Sequence, residues 1–162
     1  MKMNLGALAT LLVVFAAMIS LPAVLLLLLV GYEIFLAPPV LTYDNIPFPV
    51  ENQNLKPGDP VTIVIDRCAN DPLAPDPLVY TFSQEVVAVI NGSRTGVASG
   101  IADMRRGCEK GYRSIRNILP DSLQPGQYYL HGLASATGLF KVTTLQWTSQ
   151  QFIVERSRKD AG

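Results

Sequence analysis

Two cysteines, Cys68 and Cys108, are the residues of this chain best suited by type to form a covalent bond. On an oxidising side of a membrane an even pair of this kind is expected to form a disulfide. Closing a loop of about 40 residues would stabilise a fold by roughly 3–4 kcal/mol in the chain-entropy model. Two buried free thiols are the alternative. A zinc-type site is disfavoured, because His131 is the single histidine and no C-x-x-C spacing is present.

Asp66, Asp71 and Asp76 recur around a Pro-rich stretch, ANDPLAPDP. Loop carboxylates of this sort are weak candidate ligands for Ca²⁺, which takes hard oxygen donors without a tight motif. Acids that cap turns in solvent are the plainer reading. Arg94, Arg105, Arg106, Lys110, Arg113 and Arg116 put six cations in a short segment opposed by Asp103 and Glu109. They form a candidate basic patch for an anionic lipid, a glycan or a protein partner, with a solvated sheet face as the alternative.

Catalytic patterns are missing. There is no GxxxxGK[ST] or GxGxxG loop, and GVASG at 96–100 sets its serine one place too late for a nucleophile elbow. No nucleophile pairs with His131 by motif. Glu85, Asp103 and Glu109 are acid–base candidates only by exclusion. The expectation is therefore no catalytic residue, no cofactor and no enzyme.

What must position these residues begins with an uncharged run, LGALATLLVVFAAMISLPAVLLLLLV, at 5–30. As a helix it would be about 39 Å long, enough to cross a hydrocarbon core of roughly 30 Å. A cleaved signal has a shorter apolar region and a small-x-small cleavage site. The run is accordingly expected to be a retained signal-anchor spanning 5–32, with cleavage as the alternative. Lys2 precedes it, whereas Glu33, Asp44 and Glu51 come before Lys56, the first basic residue beyond it. The positive-inside rule then puts residues 1–4 in the cytoplasm and the rest in the periplasm or outside the cell. The lipid bilayer is thus an expected partner. Gly6, Thr10, Ala17 and Ser20 form a stripe through which spans could oligomerise.

Residues 33–54, with Pro38, Pro39, Pro47 and Pro49, read as a Pro-rich stalk in which Val40–Tyr43 is a candidate first edge strand. Residues 55–155 read as the folded domain and 156–162 as a polar tail. Within the domain, PVTIVIDRC alternates as a strand, LVYTFSQEVVAVI has strand composition, and Asn91-Gly92 is a hairpin turn. Residues 93–107 give no clear pattern. Further strands are expected in 112–119, 128–132 and 140–155. About seven short strands without an amphipathic helix predict an all-β, two-sheet β-sandwich. With thirteen basic and thirteen acidic side chains, the chain also lacks the basic excess of nucleic-acid binders, so no nucleic-acid partner is expected.

KPGDPVTIVID at 56–66 and LPDSLQPGQYYLHG at 119–132 resemble the early strand and late hairpin of bacterial and phage immunoglobulin-like domains. The resemblance implies an immunoglobulin-like β-sandwich ectodomain behind one N-terminal transmembrane α-helix, in a single-pass protein of phage or prophage type. Cys108 departs from that pattern, since it precedes the late hairpin, and Trp147 lies near the C-terminus. A membrane-tethered, extracytoplasmic, non-enzymatic binding or structural module with a protein partner in the envelope is the function expected. A signal-anchored envelope-degrading lysis enzyme is the alternative.

Overall fold

The structure is a computed structural model that describes residues 5–156, without the side chains of 5–9, 11, 12, 115 and 116. The expected cytoplasmic residues 1–4 and residues 157–162 of the tail lie outside the described residues. The chain divides into two units, Met1–Ala37 and Pro38–Gly162.

The first unit is a single helix, α1 (Leu5–Phe35), three residues longer than the expected span and uninterrupted at Pro22. Its stretch Val13–Phe35 is long and apolar enough to cross a membrane, and residues 13–29 are exposed rather than packed in a protein core, whereas Glu33 near its end is buried.

The second unit is all β, in two sheets. The smaller has the order β1 (Thr42–Tyr43), β3 (Pro60–Ala69), β6 (Gly107–Ile118). The larger runs β2 (Asn54–Leu55), β9 (Phe152–Val154), β7 (Gly126–Thr137), β4 (Leu78–Ala88), β5 (Arg94–Met104), with β8 (Val142–Thr148) also paired to β7. All pairings between these strands are antiparallel except β2 with β9.

Period-two alternation explains the two layers. Val61, Ile63 and Ile65 of β3 are buried beside Val86 of β4, Leu130 of β7, Trp147 of β8 and Phe152 of β9 in one core cluster. A second cluster gathers Val40, Leu41, Leu78, Tyr80, Met104, Ala134 and Ala136, and Tyr43 packs against both. Turn chemistry sets the strand ends. Gly58 adopts φ 86° in the turn before β3, where the Asp59 carboxylate accepts the Lys56 amide at 2.8 Å. Gly92 adopts φ 67° in the β4–β5 hairpin, and the Asn91 carboxamide accepts the Ser93 amide at 3.0 Å.

Two expectations change. Residues 38–54 are not a free stalk but belong to the β unit. Val40, Leu41 and Phe48 are fully buried, β1 pairs with Arg67 and Cys68, and Val64 donates to the Pro49 carbonyl at 3.0 Å. Prolines cannot donate to a ladder, but their carbonyls can accept, so the segment runs as an irregular edge. Residues 94–104, without a clear pattern in sequence, are an 11-residue strand.

Candidate functional site

Arg67 is the centre of the most built polar site. It continues the inward row Val61, Ile63, Ile65 of β3, so its side chain enters the space between the sheets and is only 3% exposed. Its Nη1 donates to the Tyr80 hydroxyl on β4, in the opposite sheet. Its Nε and Nη2 donate to Glu109 Oε2 at 2.8 and 2.6 Å, across the β3–β6 rung that pairs the two residues. The guanidinium carbon lies 3.9 Å from the Tyr112 ring centroid and 5.7 Å from that of Tyr80. A buried guanidinium stays charged, and a carboxylate with two aromatic faces offsets its desolvation.

Beside this cluster Tyr43, Ile65, Tyr80, Phe82, Gln84, Ala102, Tyr112, Ser114 and Trp147 line a cavity of about 30 Å³. Gln84 is 6% exposed, and its Oε1 has no hydrogen-bond partner. Burial pushes the Tyr43 hydroxyl well above the ordinary tyrosine range, with the neighbouring Tyr80 adding to the shift. The Tyr80 hydroxyl is raised too, by burial first, against the lowering charge of Arg67. A permanently charged arginine among neutral phenols gives no proton relay. What the arrangement offers is hydrogen bonding and aromatic contact.

The sequence-expected sites fare differently. Cys68 and Cys108 form a disulfide, and they are direct rung partners on β3 and β6. The bridge therefore lies within one sheet, one rung from the Arg67–Glu109 pair. The three calcium candidates do not converge. Asp66 Oδ1 accepts the Gly111 amide at 2.7 Å, Asp71 Oδ1 accepts the Leu73 amide at 2.9 Å, and Asp76 Oδ1 accepts the Arg106 amide at 3.2 Å. Among the described residues no group of three metal-ligating side chains is assembled. Each acid accepts from a different backbone amide instead.

The basic residues also divide. Arg94 begins β5 and Arg105 and Arg106 follow its end, so the 11-residue strand separates them by about 35 Å. Arg94 pairs with Glu85 at 3.5 Å and Arg113 with Glu51 at 2.6 Å, while Arg106 Nη2 donates to the Ala74 carbonyl at 2.9 Å. Lys110 is exposed on β6, and the Arg116 side chain lies outside the described residues. Arg105 shares an open groove of about 580 Å³ with Asp76, Asp103 and Glu109, so anions interrupt the basic stretch. Glu85 is elsewhere, 3.9 Å from His131 Nδ1.

Arg67, Gln84 and the three tyrosines were missed as a site. Their signal was parity: Arg67 falls on the same face as Val61, Ile63 and Ile65, and Gln84 on that of Leu78, Tyr80 and Val86. A polar residue on a core row marks a buried polar cluster.

No family model matches the sequence, and no curated protein does. Among solved structures the chain is similar to the Pseudomonas fluorescens alkylpurine DNA glycosylase AlkC bound to DNA containing an abasic site analog. That likeness has 12% identity and a TM-score of 0.36, over 69% of this chain and 31% of the other. The chain thus spans about a third of that protein's length. A likeness this distant carries no functional argument. The expectation of no nucleic-acid partner is not kept, because it rested on net charge alone. A balanced total says nothing of how charges are distributed over a surface.

Proposed function

We propose that the chain is a membrane-tethered, extracytoplasmic, non-enzymatic binding or structural module. Its β unit is read as an immunoglobulin-like sandwich. The observation that carries the reading is an apolar helix, Val13–Phe35, exposed over residues 13–29 and followed in the chain by a disulfide-bonded, two-sheet unit.

Strand order supports the immunoglobulin-like reading. A β1-β3-β6 sheet against a β2-β9-β7-β4-β5 sheet, with β2 parallel to β9, matches a Greek-key sandwich whose first strand is split between the sheets. The Tyr128 hydroxyl, near the start of β7, donates to the Gln124 carbonyl at 2.7 Å, as in the tyrosine corner of such domains. The bridge within one sheet and Trp147 on β8 are this chain's departures. Arg67 supports a binding or structural role, because its charge is spent on Glu109, Tyr80 and Tyr112 rather than presented to a substrate.

Expression with a C-terminal epitope tests the reading. Anchoring predicts that the full-length chain stays in the membrane pellet after carbonate extraction. Outward topology predicts that protease digests the β unit in intact spheroplasts, and that Cys68 and Cys108 resist alkylation until reduced. A chain released by carbonate, or protected from protease until lysis, would overturn it.

A further inference from the structure

Three connections of the β unit meet at one of its ends: the β3–β4 loop (70–77), the β5–β6 turn (105–106) and the β7–β8 turn (138–141). Polar contacts tie them together. Arg106 Nη2 donates to the Ala74 carbonyl at 2.9 Å, and the Lys141 ammonium lies 3.9 Å from Asp71 Oδ2. The β unit also begins at this end. The carbonyl of its first residue, Pro38, accepts from Lys141, and the Val40 amide donates to Thr143 Oγ1 at 3.1 Å.

The β7–β8 turn is the apolar one of the three. In TGLFKV, at 137–142, Leu139, Phe140 and Val142 are 58%, 41% and 62% exposed. Its single cation, Lys141, turns back onto Asp71 and Pro38. The Gly138 amide donates to the Lys141 carbonyl at 2.8 Å and so holds Leu139 and Phe140 at the tip. Arg105 and Arg106 are exposed at the same end, but Asp76, Asp103 and Glu109 offset them. A surface that meets this end is therefore selected by apolar contact rather than by charge.

The chain itself says what that surface is. Leu36 and Ala37 alone separate Phe35, the last residue of α1, from Pro38. So short a link spans at most about 11 Å. With α1 read as a membrane span, the end of the β unit that holds Pro38 and the apolar tip stays within reach of the headgroup layer.

We propose that Leu139 and Phe140 insert into the interface of the bilayer that α1 crosses, so that the β unit docks on lipid by this end. Aliphatic and aromatic side chains suit the boundary between headgroups and acyl chains. Ile90, in the β4–β5 hairpin, is 94% exposed, but the 11-residue β4 sets it about 35 Å away at the opposite end. This docking rests on the anchored reading and adds which face of the β unit meets lipid.

The test uses the full-length chain carrying Thr137→Cys, beside the tip, with a fluorophore on the added thiol. It is placed in phosphatidylcholine nanodiscs that contain a lipid with a nitroxide high on its acyl chain. Quenching at 137 should exceed that of the same label at Ile90→Cys by about twofold or more. Adding Leu139→Ser and Phe140→Ser should bring it down to the level at 90, while Trp147 emission stays that of the folded chain. Leu139→Ser alone, at the more exposed tip position, should remove about half of it. Salt at about 1 M should leave it unchanged, because the contact is apolar. A label at 137 quenched no more than one at 90 would overturn the proposal. So would quenching that survives the serine substitutions, or quenching that salt abolishes, which would assign the contact to charge. A chain that stays in the carbonate pellet with 137 unquenched would sink the docking alone, whereas release by carbonate would sink the anchored reading itself.

Discussion

The indole of Trp147 lies against the backbone of Gly132, its rung partner on β7, so closely that a Cβ added at the glycine would overlap the ring. The glycine is thus a seat for the core's one tryptophan, which is 3% exposed and packs on Phe48 with ring centroids 5.0 Å apart.

Gly132→Ala should therefore be among the most destabilising single-methyl additions available. Overpacking of this kind costs about 1–3 kcal/mol, since the ring must tilt or the β7–β8 rung must open. Urea unfolding of the detergent-solubilised chain, followed by the fluorescence of Trp147, would show a lower midpoint. Ala134→Gly, two residues along β7, leaves a small void rather than an overlap and serves as the comparison. If Gly132→Ala unfolded at the wild-type midpoint, the close packing of ring on backbone would be wrong.

Removing the bridge acts through the unfolded chain. The double variant Cys68→Ala/Cys108→Ala should lose roughly 3–4 kcal/mol, the closure entropy of its loop. Reductant should produce the same loss in the wild type and none in the variant. Because the bridge lies beside the Arg67–Glu109 rung, part of the loss should appear as faster amide exchange along β6. Exchange that quickened uniformly through both sheets would argue against this local role.

Alkaline pH should destabilise the fold through Tyr43 and Tyr80. Both hydroxyls are raised by burial in the folded chain, whereas in the unfolded chain they titrate near 10. Above that pH the unfolded state releases protons that the folded state keeps, so stability declines as pH rises. For Tyr43 the slope approaches about 1.4 kcal/mol per pH unit. Tyr43→Phe should flatten the decline between pH 10 and 11, measured as urea midpoints against pH. An unchanged slope would mean that the hydroxyl is not sequestered.

Much of this was legible in the chain before any coordinates. The uncharged run, the alternation of PVTIVIDRC and the turns at Gly58 and Gly92 each express one dominant local term, whether length, period or positive φ. Apart from the edge strand at Val40–Tyr43, residues 38–54 were not legible as part of the β unit, because Pro38, Pro39, Pro47 and Pro49 are equally at home in a stalk and in an irregular edge. Only the burial of Val40, Leu41 and Phe48, a tertiary fact, separates the two. Strand β5 escaped because Gly, Ala and Ser have little strand preference. It is a strand because Phe82 and its neighbours on β4 need a ladder partner. The Arg67 site was half visible. Parity put the arginine inward, but Tyr80 and Tyr112 reach it from strands far apart in sequence.

Lys141 secures the start of the β unit. Its ammonium donates to the Pro38 carbonyl and lies 3.9 Å from Asp71 Oδ2, whose side chain is fully buried. Lys141→Met keeps the stem but leaves that carboxylate without the cation, at a cost of about 3 kcal/mol. Asp71→Asn should cost less, because the amide oxygen can still accept from Leu73, as Asp71 Oδ1 does at 2.9 Å. The double variant should be more stable than the sum of the two losses implies, since neither charge is then stranded. Urea midpoints of the four proteins measure the coupling. Strict additivity would mean that Lys141 and Asp71 act independently and that Pro38 is fastened by the carbonyl hydrogen bond alone.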